Sequence, residues 1–307
     1  MRNGEIKRME INLEQSQKAT PADSRGVWIS TETESCEYCG AERQYSEIVL
    51  GEFRMKSPHP SPCTCPEGAQ AAKLKEAKRR AKAEAEREEE IQQAKQSRID
   101  KLIKRSGMGA RSLNQSFETF KTLTANTKSL ASGAELYVEN FSNMLPKRGM
   151  PLPGCNGIII IGDKGTGKTH ITSAIANELL KKEIGVICMT ERGLLGRIRQ
   201  TYSERDMSEK EVLDAYIKVP LLIIDDLGKE KASEWTLATL YSIIDGRYEE
   251  AMPIIVTTNY DEDGIVARLT PTGGDTTTAE CIVDRLKEVC RIAKTKGTSW
   301  REGGGVR

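Results

Sequence analysis

Aromatic side chains make up only 5% of the 307 residues, and hydrophobic residues of all kinds reach only 37%. A chain so poor in large apolar groups is not one continuous core, so a soluble folded part beside at least one non-globular stretch is expected. No apolar run approaches the roughly 18 residues of a membrane-spanning helix, which leaves a cytoplasmic protein as the expectation. The polar start MRNGEIKRMEINLEQ does not read as a signal peptide. Net charge is only +1 although 30% of residues are charged. Overall balance therefore gives no argument for nucleic acid, and any such contact has to come from local patches. The eight cysteines lack the even spread of a secreted disulfide scaffold. Four cluster early, and the others (Cys155, Cys188, Cys281 and Cys290) lie beside or within apolar segments and read as buried packing residues. No internal repeat is evident.

What is present changes texture several times. Residues 1–30 are polar without a period and read as a flexible leader. Residues 31–66 hold the cysteine cluster and the turn-rich SPHPSP. Residues 67–106 are nearly all Ala, Glu, Lys, Arg and Gln, strong helix formers with apolar anchors too sparse for a heptad seam. They predict a long solvated helix or linker. Residues 107–302 form the folded domain, with NQSFETF at 114–120 and a helix expected over about 131–145, and 303–307 are a flexible tail. From Gly157 onward short continuous apolar strands alternate with amphipathic helices, the pattern of an α/β domain whose parallel sheet is covered on both faces.

The first strand runs into GDKGTGKT, Gly162 to Thr169. Its glycines permit backbone angles that turn amide N–H groups around phosphate oxygens, and the following helix points its positive dipole end at them. Gly162, Asp163, Lys164, Gly165, Thr166 and Gly167 make the loop, and they and His170 just beyond it are expected to bind the nucleotide. Lys168 is expected to reach the β- and γ-phosphates of ATP, and the Thr169 hydroxyl to ligate Mg²⁺. Downstream, LLIIDDLG ends a buried strand in Asp225, suited to hold the magnesium through water, and Asp226, suited to polarise the attacking water. A third strand, PIIVTTN, ends in Thr257, Thr258 and Asn259, and Asn259 is expected to sense the γ-phosphate. Hydrolysis develops charge that a guanidinium from a neighbouring subunit can stabilise, and Arg285 and Arg301 are the candidates.

Cys36 and Cys39 form one thiolate knuckle, and Cys63 and Cys65 supply a second pair. Four soft ligands in a short segment without a core of its own favour a structural Zn²⁺, with His59 near enough to replace one of them.

Taken together, GDKGTGKTHITSAIANELL, the DDLG ending, the TTN strand end, IVDRL…KGTSWR and the NQSFETF lead-in resemble the DnaC/DnaI-type helicase loaders of the AAA+ class, over about residues 107–302. Many relatives in this ATPase class carry Glu where this chain has Asp226. The resemblance implies a five-stranded parallel sheet of order 5-1-4-3-2 and head-to-tail oligomers, such as a hexamer, with Arg285 acting in trans. It also implies single-stranded DNA inside the oligomer, a DnaB-type hexameric helicase as partner, and a zinc domain that docks on that helicase. Two features depart from the pattern: the polar stretch 270–280, read as an inserted loop, and Glu280, where a basic or small residue is common. The IstB-type transposition helper ATPases share much of the same core and are the main alternative. A nucleotide-gated DNA-binding adaptor with little hydrolysis is the other.

Overall fold

The computed structural model describes residues 20–21, 27–50, 53–122, 124–147, 149–152, 154–202 and 208–295. The chain divides into two units, Met1–Gln92 and Gln93–Arg307. Most of the expected leader, Arg301 and the expected tail lie outside the described residues.

In the first unit an antiparallel sheet of order β1-β2-β3-β4 is built from β1 (Thr20–Pro21), β2 (Val27–Ser35), β3 (Glu42–Leu50) and β4 (Phe53–Lys56). Strand β2 thus begins inside the stretch read as a leader. Two backbone bonds, Ser57 N–H to Ser46 O at 2.6 Å and Ser61 N–H to Gln44 O at 2.8 Å, strap the proline-rich turn to β3. Helix α1 (Pro66–Arg105) follows, exposed along most of its length as its sparse apolar content predicts. Proline at its first position is pre-set for helix and gives up an N–H that would have had no partner.

The second unit continues with α2 (Ala110–Leu113), α3 (Ala125–Asn140) and a 3-10 turn at Phe141–Asn143. Helix α3 starts about six residues before the apolar periodicity suggests. A reciprocal cap between Thr124 and Thr127 satisfies its first amides and sets that start. The alternating part comprises β5 (Gly157–Gly162), α4 (Lys168–Lys181), β6 (Val186–Thr190), α5 (Glu191–Gln200), α6 (Glu209–Lys218), β7 (Leu221–Leu227), α7 (Glu234–Glu249), β8 (Ile254–Thr258), α8 (Glu262–Leu269), α9 (Thr277–Val289) and β9 (Cys290–Thr295). Helix α9 takes over the end of the expected 270–280 loop. Thr276 donates to Glu280 Oε1 at 2.7 Å, so Glu280 secures the helix start.

The strands form one parallel sheet of order β6-β7-β8-β5-β9. Counted from β5 and read from the other edge, this is the expected 5-1-4-3-2. Successive side chains of a strand point to opposite faces, and here both faces are apolar. Leu222 and Ile224 of β7 join the cluster under α5 to α9, whereas Leu221 and Ile223 join the one under α3 and α4. The same split separates Ile159 from Ile160 in β5 and Val256 from Ile255 in β8. Two-sided burial is why these strands read as unbroken aliphatic runs.

Arg247 of α7 is 1% exposed. Its Nη1 donates to the carbonyls of Tyr216 (2.6 Å), Ile217 (3.0 Å) and Val219 (3.0 Å), and its Nη2 reaches those of Pro220 and Pro253. Burial pulls its pKa down to about 9. The cation is solvated by backbone instead of water, and it ties the end of α6 to the starts of β7 and β8.

Candidate nucleotide and metal sites

All the elements of the phosphate loop meet at the C-terminal edge of the sheet. The loop leaves β5 at Gly162 and enters α4 at Lys168. Gly165 and Gly167 have φ values of 83° and 91°, a left-handed backbone that side chains disfavour. Gly162 is glycine for a different reason. A Cβ there would lie 1.9 Å from Thr295 Oγ1 of the neighbouring β9, so strand packing excludes a side chain. Thr166, also buried, completes this seam with an Oγ1 2.9 Å from that of Thr295.

Lys168 is 5% exposed. Its Nζ donates to Gly162 O (2.7 Å), Asp163 O (2.8 Å) and Asn259 Oδ1 (2.8 Å). Burial lowers its pKa, while Asp226 and Asp225 pull the other way. Because β8 lies between β5 and β7, the tip of β8 brings Asn259 directly to the lysine. Thr169 Oγ1 donates to both oxygens of Asp225, at 3.1 and 2.9 Å, and Thr257 Oγ1 donates to Asp225 Oδ1 at 2.5 Å. Burial raises the Asp225 pKa, and the two hydroxyl donors oppose that rise. The Thr169 hydroxyl and the Asp225 carboxylate, both hard oxygen donors, stand side by side and fit a magnesium ion taken by the hydroxyl directly and by the carboxylate through water.

Asp226 follows with φ 63°, left-handed for a residue that is not glycine. The β7–β8 register shifts between Ile224 and Leu227 at this bend. Aspartate tolerates such a backbone better than most residues do. Its N–H donates to Thr257 Oγ1 at 2.9 Å, and its Oδ2 lies 2.5 Å from Lys229 Nζ.

The lead-in segment closes one wall. Phe120 packs where a Cβ on Gly167 would come within 2.7 Å of its ring, and it meets His170 edge-on at 5.4 Å. His170 Nε2 is 3.0 Å from both Thr119 Oγ1 and Ser116 O. Asn177 Nδ2 of α4 donates to the carbonyls of Ser112 (2.9 Å), Leu113 (3.3 Å) and Gln115 (2.7 Å). The cleft is about 470 Å³, and among the described residues Arg111, Lys121, Lys164, Lys168 and Lys229 line it against only Asp225 and Asp226. That excess of cations suits a polyphosphate.

Arg285 does not line this cleft. It sits on α9 against α7, with Nη2 2.7 Å from Asp245 Oδ1 and its guanidinium 4.9 and 5.6 Å from the rings of Tyr241 and Tyr248. Glu191 and Lys229 are among the contributors that carried no signal in the sequence. Glu191 is a buried carboxylate at the start of α5, indistinguishable from an ordinary first-turn acid. Lys229 reads as a plain turn lysine.

In the first unit Cys36, Cys39, Cys63 and Cys65 converge, with their sulfur atoms all within 4.8 Å of one another. Cys36–Cys65 is 3.9 Å, Cys39–Cys63 3.4 Å and Cys63–Cys65 3.4 Å. Four thiolates around zinc at about 2.3 Å would stand about 3.8 Å apart, so the cluster fits such an ion. The start of α1 faces the sulfurs, and Gly68 N–H donates to Cys65 Sγ at 3.2 Å. A Cβ on Gly68 would lie 2.8 Å from that same sulfur. Backbone N–H groups of Tyr38 and Cys39 draw the Cys36 pKa down to about 6. The Gly68 amide lowers Cys65, but the sulfur–sulfur hydrogen bond with Cys63, burial and the other two thiols outweigh it and push that thiol to about 12. His59 is outside the cluster, its Nε2 3.3 Å from Arg79 Nη1. Of the remaining cysteines, Cys188 and Cys290 are buried as expected, Cys281 is intermediate and Cys155 is exposed. Among the described residues no helix is long and apolar enough to cross a membrane.

Residues 154–304 match the family model described as IstB-like ATP binding protein. The replicative helicase loader DnaC of Escherichia coli strain K12 is 27% identical over 190 residues, 62% of this chain and 70% of that protein. DnaC of Buchnera aphidicola subsp. Acyrthosiphon pisum strain APS is 24% identical over 198 residues, 64% of this chain and 73% of its own. Among solved structures, the crystal structure of DnaI is 25% identical, covering 62% of this chain and 93% of that one with a TM-score of 0.50. The crystal structure of the DnaC helicase loader has the same fold, at 23% identity and TM-score 0.50, covering 61% of this chain and all of that one.

Proposed function

We propose, from the match of residues 154–304 to the IstB-like ATP binding protein model and the likeness to DnaC-type loaders, that this chain is an ATP-dependent helicase loader. It would deliver a DnaB-type hexameric replicative helicase onto single-stranded DNA. The observation that carries this reading is the match to DnaC loaders over 62% of the chain, joined to a cleft in which Lys168, Thr169, Asp225 and Asn259 converge.

In this reading the loop amides and Lys168 hold the β- and γ-phosphates, and Asn259 reports the γ-phosphate to Lys168. Thr169 and Asp225 would hold magnesium, which when bound neutralises phosphate charge. Asp226 orients the attacking water and accepts its hydrogen bond. Its short side chain is consistent with slow turnover, suited to a switch. A structural zinc in the first unit would shape a surface for the helicase. Contact with single-stranded DNA is supported by an aromatic and basic cluster: Arg199 lies 4.5 Å from the Trp235 ring, and Trp235 Nε1 donates to the exposed Tyr202 hydroxyl at 3.1 Å.

Steady-state ATP hydrolysis with and without single-stranded DNA, and a pull-down of the host replicative helicase by the full chain, test the reading. DNA-stimulated turnover and ATP-dependent helicase capture are expected. Capture of a transposase in place of the helicase would assign the transposition-helper role, and ATP and DNA binding without turnover would assign an adaptor.

Arg285 is the proposed trans-acting finger in a head-to-tail oligomer, released from Asp245 when a neighbour's nucleotide approaches. Arg285→Ala is then expected to leave ATP affinity unchanged and to lower oligomer turnover by about tenfold or more. Unchanged turnover would move the role to Arg301.

A further inference from the structure

The turn that follows β7 is fixed from three sides. Glu191, 2% exposed, spends one oxygen, Oε2, on the backbone N–H groups of Gly228 (2.9 Å), Lys229 (3.1 Å) and Glu230 (3.3 Å). Arg268 Nε donates to Gly228 O at 2.8 Å from the opposite side. Gly228 itself has φ 85°, with Tyr260 and Arg268 each 3.2 Å from where a Cβ would stand. Burying a carboxylate is costly unless it is fully bonded. Here the bonds all go to one short turn, and what that turn presents to the cleft is Lys229.

The backbone around Lys229 is tied to neighbouring elements by hydrogen bonds. Asp226 is held by its left-handed backbone and by the bond from its N–H to Thr257, whose hydroxyl is given to Asp225. The Lys229 backbone is held by Glu191. Its Nζ, on a flexible four-carbon stem, pairs with Asp226 Oδ2 at 2.5 Å. Lys229 lines the same cleft as Lys168, Thr169 and Asn259, close enough for its charge to act on both Lys168 and Asp225.

We propose that Lys229 is an exchangeable lock on Asp226: a terminal phosphate present in a nucleoside triphosphate and absent from a diphosphate draws the ammonium away and frees the carboxylate to orient water. Glu191 is the positioning residue that keeps Lys229 within reach of both partners. This rests on the ATPase reading above. The ion pair silences Asp226 when the terminal phosphate is missing, so one side chain both senses that phosphate and arms the water-orienting group.

Equilibrium binding of fluorescent ATPγS and ADP to the full-length wild type, Lys229→Met, Lys229→Arg and Glu191→Gln tests it, with turnover measured at saturating ATP without DNA. The wild type is expected to prefer ATPγS, and Lys229→Met to lose about tenfold of that preference. Its DNA-free turnover is expected to rise because the lock is gone. Lys229→Arg keeps the preference, and Glu191→Gln loses part of it while ADP affinity stays near wild type. A Lys229→Met preference within twofold of wild type overturns the proposal, as does a lost preference with lowered turnover, which would make Lys229 a phosphate contact and no lock. If the wild type binds neither nucleotide, the ATPase reading itself fails, a result distinct from either.

Discussion

Lys168→Ala is expected to lower ATP affinity by at least about 100-fold and to remove measurable hydrolysis. The wild-type ammonium sits buried at the root of the loop, directed by two carbonyls and by Asn259. A nucleotide's phosphates offer it stronger acceptors than those carbonyls. Two charge-assisted bonds at about 1.5–3 kcal/mol each give a loss of this order. Alanine also leaves Asn259 without its link to the loop, so both ends of the phosphate contact fail together. The fold should persist, because the helices and strands around the site are held by the two apolar clusters and not by this cation. Titration with a fluorescent ATP analogue, beside a thermal melt showing an intact domain, checks it. An affinity within threefold of wild type would remove Lys168 from the phosphate site.

Cys63→Ser, or exposure to a strong chelator, is expected to unfold the first unit while sparing ATP binding. That unit is a small antiparallel sheet whose buried apolar side chains, among the described residues, are little more than Cys36 and Cys63 themselves. A sheet so thin needs another source of stability, and structural zinc supplies about 10–16 kcal/mol in zinc-finger peptides at neutral pH. Four thiols brought within 4.8 Å, with the start of α1 facing them, place that stabilisation at one point. Metal analysis of the purified full chain should find about one zinc per chain, and limited proteolysis should cut within residues 27–65 only after chelation or substitution. A metal-free protein with an unchanged proteolytic pattern would refute the assignment. All four cysteines belong to the first unit, so the ATP affinity of the second is the internal control.

Much of the site is legible in the sequence because its parts are local. GDKGTGKT lies between a strand and a helix, and the chemistry of a phosphate loop is carried by adjacent backbone amides, so order along the chain is enough. The cysteine pairs are legible for the same reason. Helix α1 follows from composition, and the alternating strands follow from the unbroken aliphatic runs that two-sided burial demands. Helix boundaries were less visible. The Thr124–Thr127 cap starts α3 early, and α9 begins within what reads as a polar loop.

Contacts between distant segments were not legible at all. That Gly162 yields to Thr295, that Phe120 seals Gly167, and that Glu191 fixes the turn carrying Lys229 each depend on which strands and helices become neighbours. Glu191 and Lys229 are 38 residues apart, and nothing in either local sequence marks them as partners. The placement of Arg285 against Asp245 and two tyrosines, away from its own chain's cleft, likewise comes from the packing of α9 on α7.

The sequence by itself determined the chemistry offered: a phosphate loop, two acidic groups after a buried strand, an amide at a third strand end, and four thiols in two pairs. Tertiary structure alone decided which of these groups act on one another. Sheet order put Asn259 on Lys168, the bulge after Ile224 turned Asp226 toward Lys229, and strap bonds to β3 brought the two cysteine pairs together. The physical reason is that hydrogen bonds and ion pairs act over about 3–4 Å in space, whereas the sequence records only distance along the chain.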